Sequence, residues 1–269
     1  MVKTIRSNVG PLTYMTFDND LNVTSPYTEN FLIGGSVFDA CIALDGTAYT
    51  DETTEAGDLT TDDMTLAPAV PEADDAYYFG ATKQFHEMAI ELSISASTST
   101  WTLAMEYWDG TDWVAVTSLT DNSSQFENAA GIYHLYWTAP VGWKTTTVND
   151  QGPFYYVRYR VSAFTSISAQ PFGRQARYYI EKTDWKINGL ELTFDAASIA
   201  KIQPYIHSVN GRSYDFMLDE TTLVSNVSYM LQDGPDCKFR DHFSITITET
   251  TGKHVYGNLC IEEIAPGEY

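Results

Sequence analysis

The side chains best suited to chemistry gather around one tight turn. In "WTLAMEYWDGTDWVAVTSL", residues 101 to 119, Trp108 and Trp113 flank Asp109-Gly110, with Glu106 and Asp112 close by. Indole faces stack on sugar rings and carboxylates accept hydrogen bonds from sugar hydroxyls, so these four residues form a candidate glycan platform. The alternative is that both rings lie under a neighbouring loop or a second sheet, because large aromatics are mostly buried on average. Arg158 and Arg160 alternate in "FYYVRYRVSA" and point to one side of a strand. They could pair with the carboxylates of a neighbouring chain, as at an interface, or bridge strands within one chain.

Other reactive groups form no recognisable constellation. His86, His134, His207, His242 and His254 are scattered without the spacing of a metal pair. The nucleophile elbow G-x-S-x-G, the zinc motif H-E-x-x-H, the P-loop and G-x-G-x-x-G are absent, and the chain reads as a non-enzyme. Paired carboxylates are plentiful, but a glycosidase pair must face one cleft, which spacing does not reveal. "DNDLN" offers Asp18, Asp20 and Asn22 at the first three ligand positions of a calcium loop. Val23 stands where the sharp turn needs glycine, and no glutamate closes the loop, so an EF-hand is excluded. A looser calcium site in the 51–75 loop or around Asp109 and Asp112 stays open beside the simpler reading of solvated acidic loops; no other cofactor is implied. Cys41, Cys237 and Cys260 lie far apart, and Cys41 and Cys260 read as reduced core residues.

The elements that must position these groups are strands. Laid out around the Asp109-Gly110 turn, Leu103, Met105, Tyr107, Val114 and Val116 share a core face, while Thr102, Ala104, Glu106, Trp108, Trp113, Ala115 and Thr117 share the other. The division is the same for a two-residue or a four-residue loop, since the registers differ by two. "HEMAIELSIS" puts Met88, Ile90, Leu92 and Ile94 on one side. "FYYVRYRVSA" turns Tyr155, Val157, Tyr159 and Val161 inward, and "IYHLYWTAP" adds a strand closed by Pro140. The fold class is all-β: an antiparallel, jelly-roll-like β-sandwich and a second, smaller β domain. The expected domains are an arm or strands over 1–37, packing on the C-terminal domain; an acidic sandwich over 38–178; and a β-rich domain over 179–269. Residues 51–75 hold nine acidic residues and no basic one, which predicts a long surface loop with one short strand at Met64 to Leu66. "DAASIAKI" reads as a short helix capped by Asp195 and ended by Pro204.

Composition narrows the partners. The 269 residues are 43% apolar and 14% aromatic, enough for real cores. A net charge of −21 and a pI near 4.3 exclude nucleic acid and an anionic membrane as partners, because like charges repel. The acid lies mainly in the first part: seven basic against 22 acidic residues through residue 175, and eight against 14 beyond it. The start has no apolar h-region, and no run is long enough to span a membrane. Synthesis in the cytoplasm without secretion is expected, and the sequons at Asn22, Asn122 and Asn226 then occur by chance.

From about Leu44 to Tyr178 the chain resembles a β-sandwich module recurrent in structural proteins of tailed viruses, those of bacteria or archaea. The resemblance rests on "YTDETTEA", "DDAYYFGATKQFHEMAIELS", "WTLAMEYWDGTDWVAV", "WTAPVGWKTTTVND" and "PFYYVRYRVSAFTS", in that order. It implies a virion protein in a capsid decoration or turret, the neck or the tail, working by surface display and by assembly with other virion proteins, and bringing no catalytic residues. A symmetric homo-oligomer follows, since virion parts obey the particle's symmetry. Receptor recognition through a host surface glycan is the alternative. The motifs also have framework uses: aspartates of "DDAYYFG" can cap a turn while alternate aromatics enter the core, and Trp143 can plug the sandwich end.

Overall fold

The computed structural model describes residues 3–6, 12–21, 27–32, 34–97, 100–180, 184–194, 199–207, 215–224, 228–232, 234, 236–237, 239–249 and 253–264. These are nearly all strand. The first three are β1 (Lys3–Arg6), β2 (Leu12–Leu21) and β3 (Tyr27–Leu32). Twelve follow: β4 (Ala40–Asp45), β5 (Ala48–Asp51), β6 (Met64–Thr65), β7 (Ala76–Ala81), β8 (Glu87–Ile94), β9 (Thr100–Trp108), β10 (Trp113–Ala115), β11 (Thr117–Asp121), β12 (Gly131–Thr138), β13 (Thr145–Val148), β14 (Gln151–Ser166) and β15 (Phe172–Tyr179). The last are β16 (Asp184–Phe194), β17 (Ile199–His207), β18 (Asp215–Met217), β19 (Thr221–Val224), β20 (Tyr229–Gln232), β21 (Asp236–Cys237), β22 (His242–Glu249) and β23 (Lys253–Ile264). A single 3-10 turn at Glu55–Gly57 is the helical element among the described residues, and none of their helices is long and apolar enough to cross a membrane.

The chain forms two compact units, one of residues 35–180 and one of residues 1–34 with 181–269. The first is a sandwich of two antiparallel sheets, ordered β10-β9-β14-β7-β4-β5, with β13 beside β14, and β11-β12-β8-β15-β6. Period-two alternation sends one row of each strand into a shared core. Tyr77 and Phe79, Met105, Val157 and Tyr159 come from the larger sheet; Met88, Ile90, Leu92, Leu135, Trp137, Ala176 and Tyr178 come from the smaller. Trp143 closes one end as expected: it is buried, touches Phe85 and Tyr155, and donates its indole N–H to the Tyr156 carbonyl at 3.1 Å. Asp75 caps as expected too, accepting the Gly46 N–H at 2.7 Å and the Glu72 N–H at 2.6 Å.

In the other unit, β2 pairs with β23 along Leu12–Leu21, and β3 pairs with β22. The sheets are β1-β2-β23-β16-β20, with β21 beside β16, and β18-β17-β22-β3, with β19 beside β17. Ile187, Leu190, Leu192, Val255, Leu259 and Ile261 are buried on the first, and Phe31, Ile202, Ile206, Phe243, Ile245 and Ile247 on the second.

Several expectations fail for local reasons. The helix at "DAASIAKI" does not form over its described part: Asp195 lies outside the described residues, but residues 199–207 are strand β17. Ile202, Pro204 and Ile206 alternate into burial, a strand pattern that outweighs the cap signal. Pro204 is tolerated because its missing N–H faces the gap between β19, which pairs as far as Ile202, and β18, which begins opposite Tyr205. Its carbonyl on that side accepts the Leu218 N–H at 2.8 Å. Asp18 and Asp20 lie in β2 opposite Tyr256 and His254, so "DNDLN" is no ligand loop up to there; Asn22 and Val23 lie outside the described residues, as does Asn226. Asn122 donates its side-chain amide to the His134 carbonyl at 2.9 Å. The 51–75 segment is more than a surface loop, since Glu52, Ala56, Met64, Leu66 and Ala67 are buried in it. The second strand of the aromatic hairpin is also shorter than read: β10 stops at Ala115, and from Thr117 the chain joins the opposite sheet as β11, with Ser118 at φ 56°. Thr117 therefore does not share a face with Trp113.

Candidate functional site

The turn between β9 and β10 has the four-residue form. Trp108 pairs directly with Trp113, and the Asp109 carboxylate accepts the N–H groups of Thr111 and Asp112 at 2.8 Å each, while Gly110 takes φ +110°. Those two bonds lower the Asp109 pKa, so the carboxylate stays charged and engaged in the turn. Asp112 is exposed at this tip and closes the loop through its carbonyl, which accepts the Asp109 N–H at 3.1 Å.

Behind the turn, on the face of the larger sheet away from the main core, the other sequence-predicted residues do come together. Glu106 on β9 lies in register with Arg158 on β14. Its Oε2 accepts from Arg158 Nε at 2.8 Å, and its Oε1 accepts from Arg160 Nη2 at 2.7 Å. Arg158 also donates to the Tyr78 hydroxyl at 3.2 Å, and Arg160 donates to exposed Asp74 at 3.1 Å. Burial pushes the Glu106 carboxyl up, but hydrogen bonds and charge from the two arginines outweigh it and hold the pKa below the usual carboxylate value. The arginines therefore bridge strands within one chain, the second of the two readings given for them above. A carboxylate one strand away in register meets them at no cost in association entropy.

Trp113 is the second support of this cluster. The Arg158 guanidinium lies 4.4 Å from its ring centre, Tyr78 meets it edge-on at 5.5 Å, and Trp108 meets it at 5.6 Å with the planes 62° apart. It packs on a small apolar group on this face made by Ala40, Ile42, Leu44, Ala76, Tyr78, Val148 and Tyr156. Gly80 lets that group form, because a methyl there would run into the Tyr156 ring lying across it. Both indoles are half-buried, and at 62° one sugar ring could not lie flat across the pair.

Two features had no usable signal in the sequence. His207 and His242, far apart in the chain, are cross-strand partners with rings stacked at 4.6 Å, and His207 shares a 2.6 Å hydrogen bond with the Ser244 hydroxyl. Glu52 is another buried carboxylate in the sandwich; burial raises its pKa, partly offset by hydrogen bonds from Thr65 and by the nearby Tyr77 hydroxyl. Nearby, burial and the charges of Asp58 and Glu55 raise Asp63 to about 7. Among the described residues no group of three or more His, Cys, Asp or Glu side chains is placed to hold a metal ion. The three cysteines form no disulfide with one another, and burial pushes the Cys41 thiol up.

No protein-family model matches the chain, and no curated protein does. Among solved structures, it aligns over 100% of its length with 74% of a chain in "Structure of infectious bursal disease virus Gx strain", at 11% identity and a TM-score of 0.24. A chain in "Structure of infectious bursal disease virus Gt strain" aligns over the same shares at 10% identity and a TM-score of 0.18. Likeness this slight carries no argument about function.

Proposed function

We propose that the chain is a structural protein of a virus particle, of the tailed-virus kind, acting through assembly and surface display. The observation that supports it best is where the motifs of the resemblance end up. Tyr77 and Phe79 of "DDAYYFG", Met105 of "AMEYWDGTDW", Trp143 of "PVGW" and Val157 and Tyr159 of "YVRYRV" are all buried in one core. Glu106, Trp113 and Arg158 of the same motifs lock the outer face of the larger sheet. The shared sequence thus specifies a rigid scaffold, which is what a display unit requires. On this reading the unit built from the two ends of the chain docks to the particle, the acidic sandwich projects, and copies associate symmetrically.

The reading is tested on particles purified from cells that express the chain. Mass spectrometry and immunogold labelling are expected to find it in intact particles at a fixed copy number, and light scattering of the purified protein to give a symmetric oligomer. A chain that stays in the soluble lysate and is absent from washed particles overturns it.

A further inference from the structure

Beside the edge of the larger sheet the sandwich holds a cavity of about 330 Å³, lined by β4, by Thr50 of β5, by Ala67, Pro68 and Ala69, and by Gln170. That volume lies at the small end of ligand sites. Most of the wall is small and apolar. The polar lining is Asp45, Thr50, Glu52, Thr65 and Gln170, and of the two carboxylates Asp45 is exposed while Glu52 is only 4% exposed. Its Oε2 accepts the Thr65 N–H at 2.8 Å, and its main chain is fixed by the Glu52 N–H donating to the Cys41 carbonyl at 2.8 Å. Gln170 is held against the opposite wall by donating its side-chain amide to the Ala67 carbonyl at 2.9 Å.

No cation lies against Glu52 among the described residues; its charged neighbour is Glu55, which adds repulsion. Taking a carboxylate out of water is costly unless a counter-charge and hydrogen bonds replace the lost hydration. Here hydrogen bonds from Thr65, with the Tyr77 hydroxyl close by, do part of that work and the cavity leaves room for the counter-charge. We propose that this cavity is a recognition site for a primary ammonium on a short aliphatic stem, the stem lying against Ala43, Ala67 and Pro68 and the ammonium donating to Glu52. Such a group comes either as a free alkylamine or as a lysine side chain presented by a partner protein. An oligosaccharide of several rings is too large for the volume, and an anion is repelled by Glu52. The site is separate from the Glu106 cluster and stands or falls independently of the assembly reading.

The test uses the full chain and follows the Thr65 and Ala43 amide signals by NMR. n-Butylammonium is expected to shift both saturably, whereas 1-butanol, of the same shape without the charge, leaves them in place. Glu52→Gln keeps an acceptor for Thr65 and removes the charge, and is expected to weaken the ammonium by about ten-fold or more. Thr50→Lys, at an exposed position on the rim, supplies a tethered occupant and is expected to abolish the response with the fold intact. Nα-acetyl-lysine N-methylamide separates the sources: binding as tight as n-butylammonium points to a lysine, and binding of n-butylammonium alone points to a free amine. Equal shifts with 1-butanol, or an unchanged ammonium response in both variants, overturn the proposal.

Discussion

Glu106 and Glu52 are both buried in the same sandwich, at 6% and 4% exposure, and the fold treats them in opposite ways. Glu106 has two arginines on neighbouring β14, an aromatic ring under one of them, and a pKa held down. Glu52 has hydrogen bonds from Thr65, the Tyr77 hydroxyl close by, a cavity, and a pKa pushed up. The difference teaches that burial alone does not fix the role of a carboxylate. Where a counter-charge is built into the adjacent strand, the group is structural; where it is missing, the group is unstable when ionised and open to a cation from outside.

The comparison is broken most severely at Glu106. Glu106→Ala strands two guanidinium groups in a half-dry environment and is expected to cost about 3–5 kcal/mol, read as a lower midpoint in urea. A loss below 1 kcal/mol would place the cluster among weak surface pairs. Trp113→Ala removes the ring under Arg158 and part of the outer apolar group, for about 2–3 kcal/mol. Trp108→Ala, at the end of the stack, should cost roughly half as much. Glycan arrays on these two variants decide the platform: a specific glycan lost in Trp108→Ala at unchanged melting temperature would support it.

The pH dependence sharpens the contrast with opposite signs. Glu106, with its folded pKa lowered, contributes stability above the ordinary carboxylate pKa, and that contribution is lost as pH falls through the lowered value. Glu52, with its folded pKa raised, binds more protons folded than unfolded, so its ionisation costs stability and acidification towards the ordinary value relieves the cost. Urea midpoints across the acid range should therefore lose their acid-side decline in part in Glu106→Gln, and fall more steeply with acid in the neutral-to-acid window in Glu52→Gln. The smallest effect is Glu52→Gln at neutral pH, where the midpoint is expected to stay level or rise by under about 1 kcal/mol equivalent. A loss of 2 kcal/mol or more would mean that the charge supports the fold.

Much of the sandwich was legible from alternation alone. The inward rows Leu103-Met105-Tyr107 and Val157-Tyr159-Val161, the outward pair Arg158 and Arg160, the Asp75 cap and the Trp143 plug all follow from period two and turn chemistry. The partner of the arginines was not legible, because Glu106 meets them through strand pairing across 52 residues of chain, which no local pattern encodes. The sheet switch after Ala115 and the stacked histidines are hidden for the same reason. Residues 51–75 misled in another way: nine carboxylates dominate the composition, while the few side chains that anchor the segment, Ala56, Met64 and Leu66, are too sparse to form a period. At β17 a good capping residue competed with an alternating run, and the long-range pairing prevailed.

The sandwich enters after Gly34 and leaves before Glu181, and its two ends are joined to each other: Ser36 and Tyr178 exchange both backbone hydrogen bonds, at 2.8 and 2.9 Å. A module whose entry and exit lie side by side behaves as a cassette. It can be lengthened, exchanged or removed without asking the strands on either side of it, β3 and β16, to change their pairing, and the host unit keeps its own buried rows whatever the cassette carries. Sequence change can accumulate between Gly35 and Ile180 while the unit of residues 1–34 and 181–269 keeps its own pairing.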